Sequence, residues 1–149
     1  NLVQIAKYLQ EQKLPYKIVD LNKEAFTVGD VVRLGIKQEE VVKTLVIKTN
    51  DGFAALAVRG NDRVDFKKVR SRFGSKSELA RPDEVKKVVG VPVGAVCPIQ
   101  LSIPIYIDRR VINLANVHMG SGDLKYGLEM RLDNLLTAIG TYKIEDFSI

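Results

Sequence analysis

Residues 43–59 read KTLVIKTNDGFAALAVR, two runs of β-branched and apolar residues on either side of Asn50-Asp51-Gly52. An Asp-Gly pair between two such runs is typical of a tight turn, so residues 43–49 and 53–59 are predicted to form an antiparallel hairpin. Alternate strand residues point to the same side, so Lys43 shares its side with Leu45 and Ile47. The hairpin therefore directs one ammonium group toward a buried side. The periodicity leaves an alternative open, in which Lys43 lies in solvent just outside the first strand pair.

The segments around this hairpin predict both helices and strands. Helical spacing of apolar residues predicts four short amphipathic helices within 2–9, 28–32, 66–73 and 85–89, and a fifth over 133–139. Further strands are predicted at 104–108, 111–119 and 127–132, with weaker candidates at 16–20 and 142–147. Strands follow one another without a helix between each pair, which favours an α+β fold over a doubly wound parallel sheet. We expect a mixed, curled sheet or partial barrel with flanking helices. Glycines at four of the helix ends are expected to be left-handed C-terminal caps: Gly35, Gly74, Gly90 and Gly140.

Composition limits the protein class. At 149 residues and 46% hydrophobic, residues 1–149 fit a single domain with a core that needs no disulfide. No stretch approaches the ~18 apolar residues of a membrane span, and the first residues do not have the pattern of a signal peptide, so a cytoplasmic protein is expected. One cysteine and one histidine provide no cluster of zinc-ligand type, so neither a metal nor a cofactor is expected.

Two glycine-containing loops are the candidate ligand-binding features. They are Gly94-Ala95-Val96-Cys97-Pro98 and Gly120-Ser121-Gly122. Glycine lacks a Cβ, so such loops can bring backbone N–H groups close to a ligand. With Lys43 nearby, a small anionic or ester-bearing ligand would fit, although each loop alone is equally typical of an ordinary turn.

A few other side chains could take part in catalysis. Cys97 could be a nucleophile only with a base, and His118 is the one histidine available. A lone strand histidine is more often packed or at a rim than catalytic. Asp108 and Glu129 lie at or near predicted strand ends, where they could be an acid or base or simply solvated carboxylates.

Positive charge is concentrated between residues 59 and 76, where seven Lys or Arg residues accompany two Asp residues and account for the net charge of +5. Such a segment suits binding to a phosphate backbone, and a solvated helix face would have the same composition. The predicted helix buries Phe66, Val69 and Phe73. Four cations would then point largely outward: Lys67, Lys68, Arg70 and Arg72.

An ordered set of motifs resembles the YbaK family, which is related to the editing insertion domain of bacterial prolyl-tRNA synthetase. The set comprises Lys43-Thr44-Leu45, Leu56-Ala57-Val58, Asp65-Phe66-Lys67-Lys68-Val69, Pro82-Asp83-Glu84-Val85, the loop from Gly94 to Pro98, Tyr106-Ile107-Asp108 and Gly127-Leu128-Glu129. The resemblance implies a mixed β-barrel with flanking helices and deacylation of wrongly charged tRNA. It also implies that Lys43 is needed for activity, that the loop from Gly94 to Pro98 lies beside the aminoacyl group, and that the loop from Gly120 to Gly122 lines the pocket.

The chain departs from the cysteinyl-tRNA deacylases of that family at several positions. Leu21 is near the position at which those deacylases have a tyrosine in the pocket. Glu129 stands where they have an aspartate, and Cys97 stands where they commonly have a serine. Residues 123–126 lengthen the second glycine loop. The expected substrate is therefore a small amino acid, such as alanine, on a tRNA that could be tRNA(Pro). The expected partners are aminoacylated tRNA and an aminoacyl-tRNA synthetase, and the alternative is a non-catalytic module of the same fold that binds tRNA or a synthetase.

Overall fold

The computed structural model describes all residues from 1 to 149 and contains five helices and eight strands. The helices are α1 (Leu2–Glu11), α2 (Val28–Arg33), α3 (Phe66–Phe73), α4 (Pro82–Val89) and α5 (Leu132–Ile139). The strands are β1 (Lys17–Asp20), β2 (Val42–Thr49), β3 (Gly52–Arg59), β4 (Glu78–Leu79), β5 (Ile105–Asp108), β6 (Asn116–Gly120), β7 (Tyr126–Arg131) and β8 (Lys143–Glu145).

The strands form two sheets. The larger sheet has the order β4-β2-β3-β5-β8, in which β2 and β3 are the predicted antiparallel hairpin and β5 runs parallel to both of its neighbours. The smaller sheet, β1-β7-β6, is antiparallel throughout. A single bridge between Val41 and His118 joins the two sheets. The predicted α+β class with a mixed sheet is confirmed, and the sheets do not close into a barrel.

Two local predictions need correction. The predicted strand over 111–119 begins only at Asn116, because residues 109–113 form a 3-10 turn in which the Asp108 side chain accepts the Arg110 N–H. Gly90 is a left-handed cap, with φ 79° and ψ 4°, and Gly35 has a φ of 94° at the residue that follows the cap of α2, a position that commonly takes a left-handed glycine. Gly74 and Gly140 also have positive φ, but their ψ angles of 153° and −76° lie outside the left-handed region, so the prediction is wrong for these two.

Apolar packing holds both faces of β2. On one face, Val42 joins the main core with residues from α1, the smaller sheet and α5, and Val46 packs with Val85 of α4. On the other face, Ile47 packs with Val69 of α3. Burying each such side chain contributes about 1.5–3 kcal/mol, so β2 is a well-anchored element. No helix of this fold has the length and apolar content that a membrane crossing demands.

Candidate active site

One edge of strand β2 is open where the two sheets meet. The strand pairs with β3 along its whole length, but on its other side it pairs only with β4, at Ile47 and Lys48, and contacts β6 through the bridge at Val41. Residues 43–45 therefore have no strand on that side. A cavity of about 180 Å³ lies against this open edge, lined mostly by apolar residues.

The two predicted glycine loops abut and form one wall of the cavity. The Gly122 N–H donates to the Ala95 carbonyl at 2.7 Å. A Cβ on Gly120 would lie 2.5 Å from the Val96 carbonyl oxygen, and one on Gly94 would lie 2.5 Å from that of Phe26. Neither position could hold a side chain without separating backbone segments, so glycine permits the close approach of the loops.

Not every residue of these loops faces the cavity. Gly94, Val96 and Gly120 line it. The buried residues Ala95, Cys97, Pro98 and Ser121 are not among its lining residues. The N–H groups of Gly94 and Val96 donate to no acceptor within the protein, whereas the Ala95 N–H donates to the Pro92 carbonyl. Val96 is buried, where backbone donors are almost always paired, so its N–H is a candidate donor to a ligand. Gly94 is exposed, and its N–H is open to solvent or to a ligand.

Lys43 lies on the cavity lining and is half-buried. It pairs with Val58 within the hairpin, so the alternative that placed it outside the first strand pair is wrong. Its Nζ donates to the carbonyl oxygens of Asp62 at 2.9 Å and Gly60 at 3.3 Å. Burial lowers the pKa of Lys43, and the charge of Asp62 opposes that shift. No carboxylate forms an ion pair with this ammonium, so its charge can act on a ligand.

His118 lines both the cavity and a second, polar hollow. The imidazole covers Gly127, where any Cβ would overlap with the ring. Its Nδ1 lies 3.4 Å from Glu129 Oε1, and burial lowers the pKa of His118 while Glu129 raises it. Glu129 lines only the outer hollow. Glu129 can therefore influence the cavity only indirectly, through the charge and position of the His118 ring.

Leu21 is buried and lines the cavity, as does Ala25. Their N–H groups donate to the carbonyls of Lys125 and Leu124, both at 2.9 Å, which fixes this segment against the second glycine loop.

Sequence reasoning missed several lining residues. Phe26 is 54% exposed at the cavity, and the Thr44 hydroxyl is buried there without a hydrogen-bond partner. Asp123, noted only for the length of its loop, also lines the cavity. Thr44 lies inside a recognised strand, and Phe26 precedes a helix cap, so no local pattern identified either of them.

The basic helix α3 does not line the cavity, and two of its four outward cations are paired. Lys68 donates to Asp146 at 3.0 Å and to the Ser148 carbonyl, while Arg72 pairs with Glu145 at 2.9 Å. The other two, Lys67 and Arg70, are exposed and form no ion pair, although the Arg70 guanidinium lies 5.7 Å from the centre of the Phe66 ring.

Cys97 is a poor nucleophile in this structure. Its side chain belongs to the main core, and burial raises the pKa of the thiol to about 12. A cysteine attacks as its thiolate, which would be scarce at neutral pH. The geometry therefore does not support a cysteine hydrolase built on Cys97 and His118.

Comparison with known proteins identifies the family. The model of the aminoacyl-tRNA editing domain matches residues 22–138. The chain belongs to the aminoacyl-tRNA editing domain family. It is 36% identical over 105 residues to a proline–tRNA ligase of Caldicellulosiruptor bescii, and 35% identical over 97 residues to one of Staphylococcus aureus. These matches cover 69% and 64% of this chain but only 18% and 17% of the ligases, so the editing-domain chain corresponds to a small part of each relative.

Solved structures agree on the fold of this editing domain. A crystal structure of a hypothetical protein has a TM-score of 0.85, with 28% identity and full coverage of both chains. A proposed trans-editing enzyme for prolyl tRNA synthetase also has a TM-score of 0.85, with 22% identity, 99% coverage of this chain and 96% of its own. At that identity the second likeness shows the fold alone.

Proposed function

We propose that this editing domain acts in trans as a hydrolase that removes a wrongly attached small amino acid from tRNA, by cleaving the ester at the terminal adenosine. The observation that carries the proposal is the meeting of three features at one cavity: the open edge of β2, the two abutting glycine loops and Lys43. Family membership over residues 22–138 supports the same conclusion.

The chemistry requires little beyond positioning and two donors. An aminoacyl ester is already activated, so binding it correctly and stabilising the developing oxyanion can supply much of the rate enhancement. The N–H groups of Gly94 and Val96 would donate to that oxyanion. A water molecule, activated by a substrate group, would add to the carbonyl carbon; the bond to the ribose oxygen would then break, and that oxygen would take the proton.

Lys43 would bind the anionic part of the substrate. Its ammonium rests on two carbonyl oxygens rather than on a carboxylate, so a phosphate of the terminal nucleotide can exchange for one of them without breaking an ion pair. A phosphate oxygen gives a charge-assisted hydrogen bond, which is about twice as strong as one to a neutral carbonyl.

The size and lining of the cavity favour a small side chain. Leu21, Val28, Val42 and Met119 surround a space of about 180 Å³. A synthetase distinguishes amino acids that differ by one methylene by only about 1–3 kcal/mol, so a second, smaller pocket is needed to remove the errors. The proposed substrate is therefore a small amino acid such as alanine.

The tRNA itself would be held through α3, where Lys67, Lys68, Arg70 and Arg72 face outward. Lys67 and Arg70 would contribute most to binding, because Lys68 and Arg72 already pair with Asp146 and Glu145. The similarity to a part of proline–tRNA ligases supports tRNA(Pro) as the carrier and a synthetase as a partner.

Hydrolysis of a panel of alanyl-, cysteinyl- and seryl-tRNAs, on tRNA(Pro) and on cognate tRNAs, tests the proposal. We expect one small aminoacyl group to be removed selectively, and Lys43→Ala to reduce the rate by at least about tenfold, as loss of a charge-assisted hydrogen bond implies. Lys48→Ala is the matched control: this lysine is on the same strand, but it pairs with Glu84 outside the cavity.

Full activity in a folded Lys43→Ala variant would refute the role of the lysine. If the wild-type protein cleaves no aminoacyl-tRNA but still binds tRNA, the domain is instead a binding module.

A further inference from the structure

The cavity contains one side chain of each charge. Among its lining residues only Lys43 carries an ammonium group and only Asp123 carries a carboxylate. Most of the remaining lining is apolar, and a charged ligand group that enters such a space loses water and needs a partner of opposite charge. A ligand that carries both an anionic and a cationic group would satisfy both residues.

The Asp123 carboxylate is held in place but only partly used. One of its oxygens accepts the Lys125 N–H at 2.9 Å, and this is its one hydrogen bond within the protein. The Asp123 backbone is tied to the fully buried Ser121, whose hydroxyl accepts the Asp123 N–H. The one hydroxyl hydrogen of Ser121 has the Tyr126 carbonyl as its nearer acceptor, at 2.7 Å, and the Asp123 carbonyl at 3.1 Å. Although the protein has a net charge of +5, no Lys or Arg side chain pairs with this carboxylate.

We propose that Asp123 binds the α-ammonium group of the aminoacyl ester, which makes a free amino group a requirement for the substrate. This inference rests on the proposed deacylase function and adds the recognition of the amino group. The unpaired carboxylate oxygen accepts an ammonium hydrogen, while Lys43 repels the ammonium and attracts the phosphate. The two charges thereby orient the ester within the cavity.

Recognition of the amino group by Asp123 would distinguish this chain from family members with a shorter second glycine loop. The residue lies in the segment 123–126, which lengthens the second glycine loop, and this segment also supplies the carbonyls of Leu124 and Lys125 that hold Ala25 and Leu21. The longer loop thus fixes the cavity wall and brings a carboxylate to it.

The experiment compares two esters of adenosine 5′-phosphate, 3′-alanyl and 3′-lactyl, which differ only in an ammonium or a hydroxyl group on the same carbon. We expect the wild-type protein to prefer the alanyl ester. In Asp123→Asn, we expect kcat/KM for the alanyl ester to fall about 10- to 100-fold, as loss of a hydrogen bond between charged groups implies, while the lactyl ester is hydrolysed at the wild-type rate.

Asp20→Asn is the matched control. The Asp20 carboxylate accepts the Asn22 N–H at 2.8 Å, two residues along the chain as in Asp123, but Asp20 does not line the cavity. Asparagine keeps the accepting oxygen in both variants, so both turns are preserved. We expect Asp20→Asn to keep the wild-type preference between the two esters.

A pH series on the wild-type protein gives a second test that needs no variant. The α-amino group has an ordinary pKa near 8, so the preference for the alanyl ester should decline as the pH rises through that value and the ammonium loses its charge. A preference that does not change with pH, or an unchanged ratio of the two esters in Asp123→Asn, would overturn the inference. If the wild-type protein hydrolyses neither ester, the proposed function fails, and this inference fails with it.

Discussion

Gly120→Ala tests whether the abutting glycine loops hold the site together. The added Cβ would lie 2.5 Å from the Val96 carbonyl oxygen and 2.9 Å from the Ala95 carbonyl carbon, whereas real Cβ contacts do not fall below 3.0 Å. Both neighbours are backbone atoms, which cannot rotate away as a side chain would. The two loops must therefore move apart by about 0.5 Å or more.

The cost of this movement has two parts. Overpacking by one methyl group against a rigid wall costs about 1–3 kcal/mol. The hydrogen bond from Gly122 to Ala95, two residues from the clash, is 2.7 Å long and would be weakened or lost, at a cost of about 1 kcal/mol. We expect the free energy of unfolding to fall by about 2–4 kcal/mol.

Urea unfolding gives the measurement. With a slope of about 2 kcal/mol/M, typical of a small protein, the midpoint should fall by about 1–2 M. Deacylation by the folded variant should fall as well, because the donors at Gly94 and Val96 move with their loop. Gly29→Ala is the control: its Cβ would meet side-chain atoms of Arg33 and Thr27 at 3.6 Å, an ordinary contact within α2, and alanine favours a helix. If both variants unfold at the same urea concentration, the reasoning is wrong.

Three further predictions concern other parts of the chain. Cys97→Ser should keep deacylation within a few-fold of wild type in a single-turnover assay, because the buried thiol is not the nucleophile; loss of activity in the folded variant would support the cysteine mechanism. Asp108→Asn should cost about 1.5–3 kcal/mol at pH 7, measured by urea unfolding, because it removes the charge from a buried carboxylate that accepts hydrogen bonds from the Phe147 N–H and the Ser148 hydroxyl. Burial raises the pKa of Asp108, but its hydrogen bonds lower the pKa by more, so the net shift is downward. The stabilisation by Asp108 is therefore present above about pH 4 and is lost as the pH falls through the lowered pKa. If the difference in unfolding free energy between variant and wild type does not shrink in acid, this account is wrong. The double variant Lys67→Glu, Arg70→Glu should weaken tRNA binding, measured by fluorescence anisotropy, and most strongly at low salt. Its rate of hydrolysis of alanyl-adenosine should stay at the wild-type value. An equal loss of activity on alanyl-tRNA and on alanyl-adenosine would show that these two residues do not bind tRNA.

Local patterns predicted the elements that surround the site. The hairpin 42–59 follows from Asn50-Asp51-Gly52 between two apolar runs, and all five helices follow from apolar spacing. Both signals act within a few residues of the chain, so they are readable without a fold. The resemblance to the editing family likewise follows from motifs in the sequence, and it implies roles for Lys43 and both glycine loops that no single motif indicates.

Pairing between distant residues could not be predicted in this way. Lys68 and Arg72 have the pattern of free cations on a helix, but they bind Asp146 and Glu145, which lie 78 and 73 residues away. Because such partners depend on how the chain returns to the same place, no local periodicity reports them.

The sequence by itself determined the α+β class, the hairpin, the helices and the family, because each depends on short-range spacing or on an ordered set of motifs. Only the tertiary structure decided that β2 keeps an open edge beside β6, that the two glycine loops touch, and that Asp123 shares a cavity with Lys43. A cavity is the space that packing leaves unfilled. Its position and charges therefore depend on every element around it, and no single stretch of sequence contains that information.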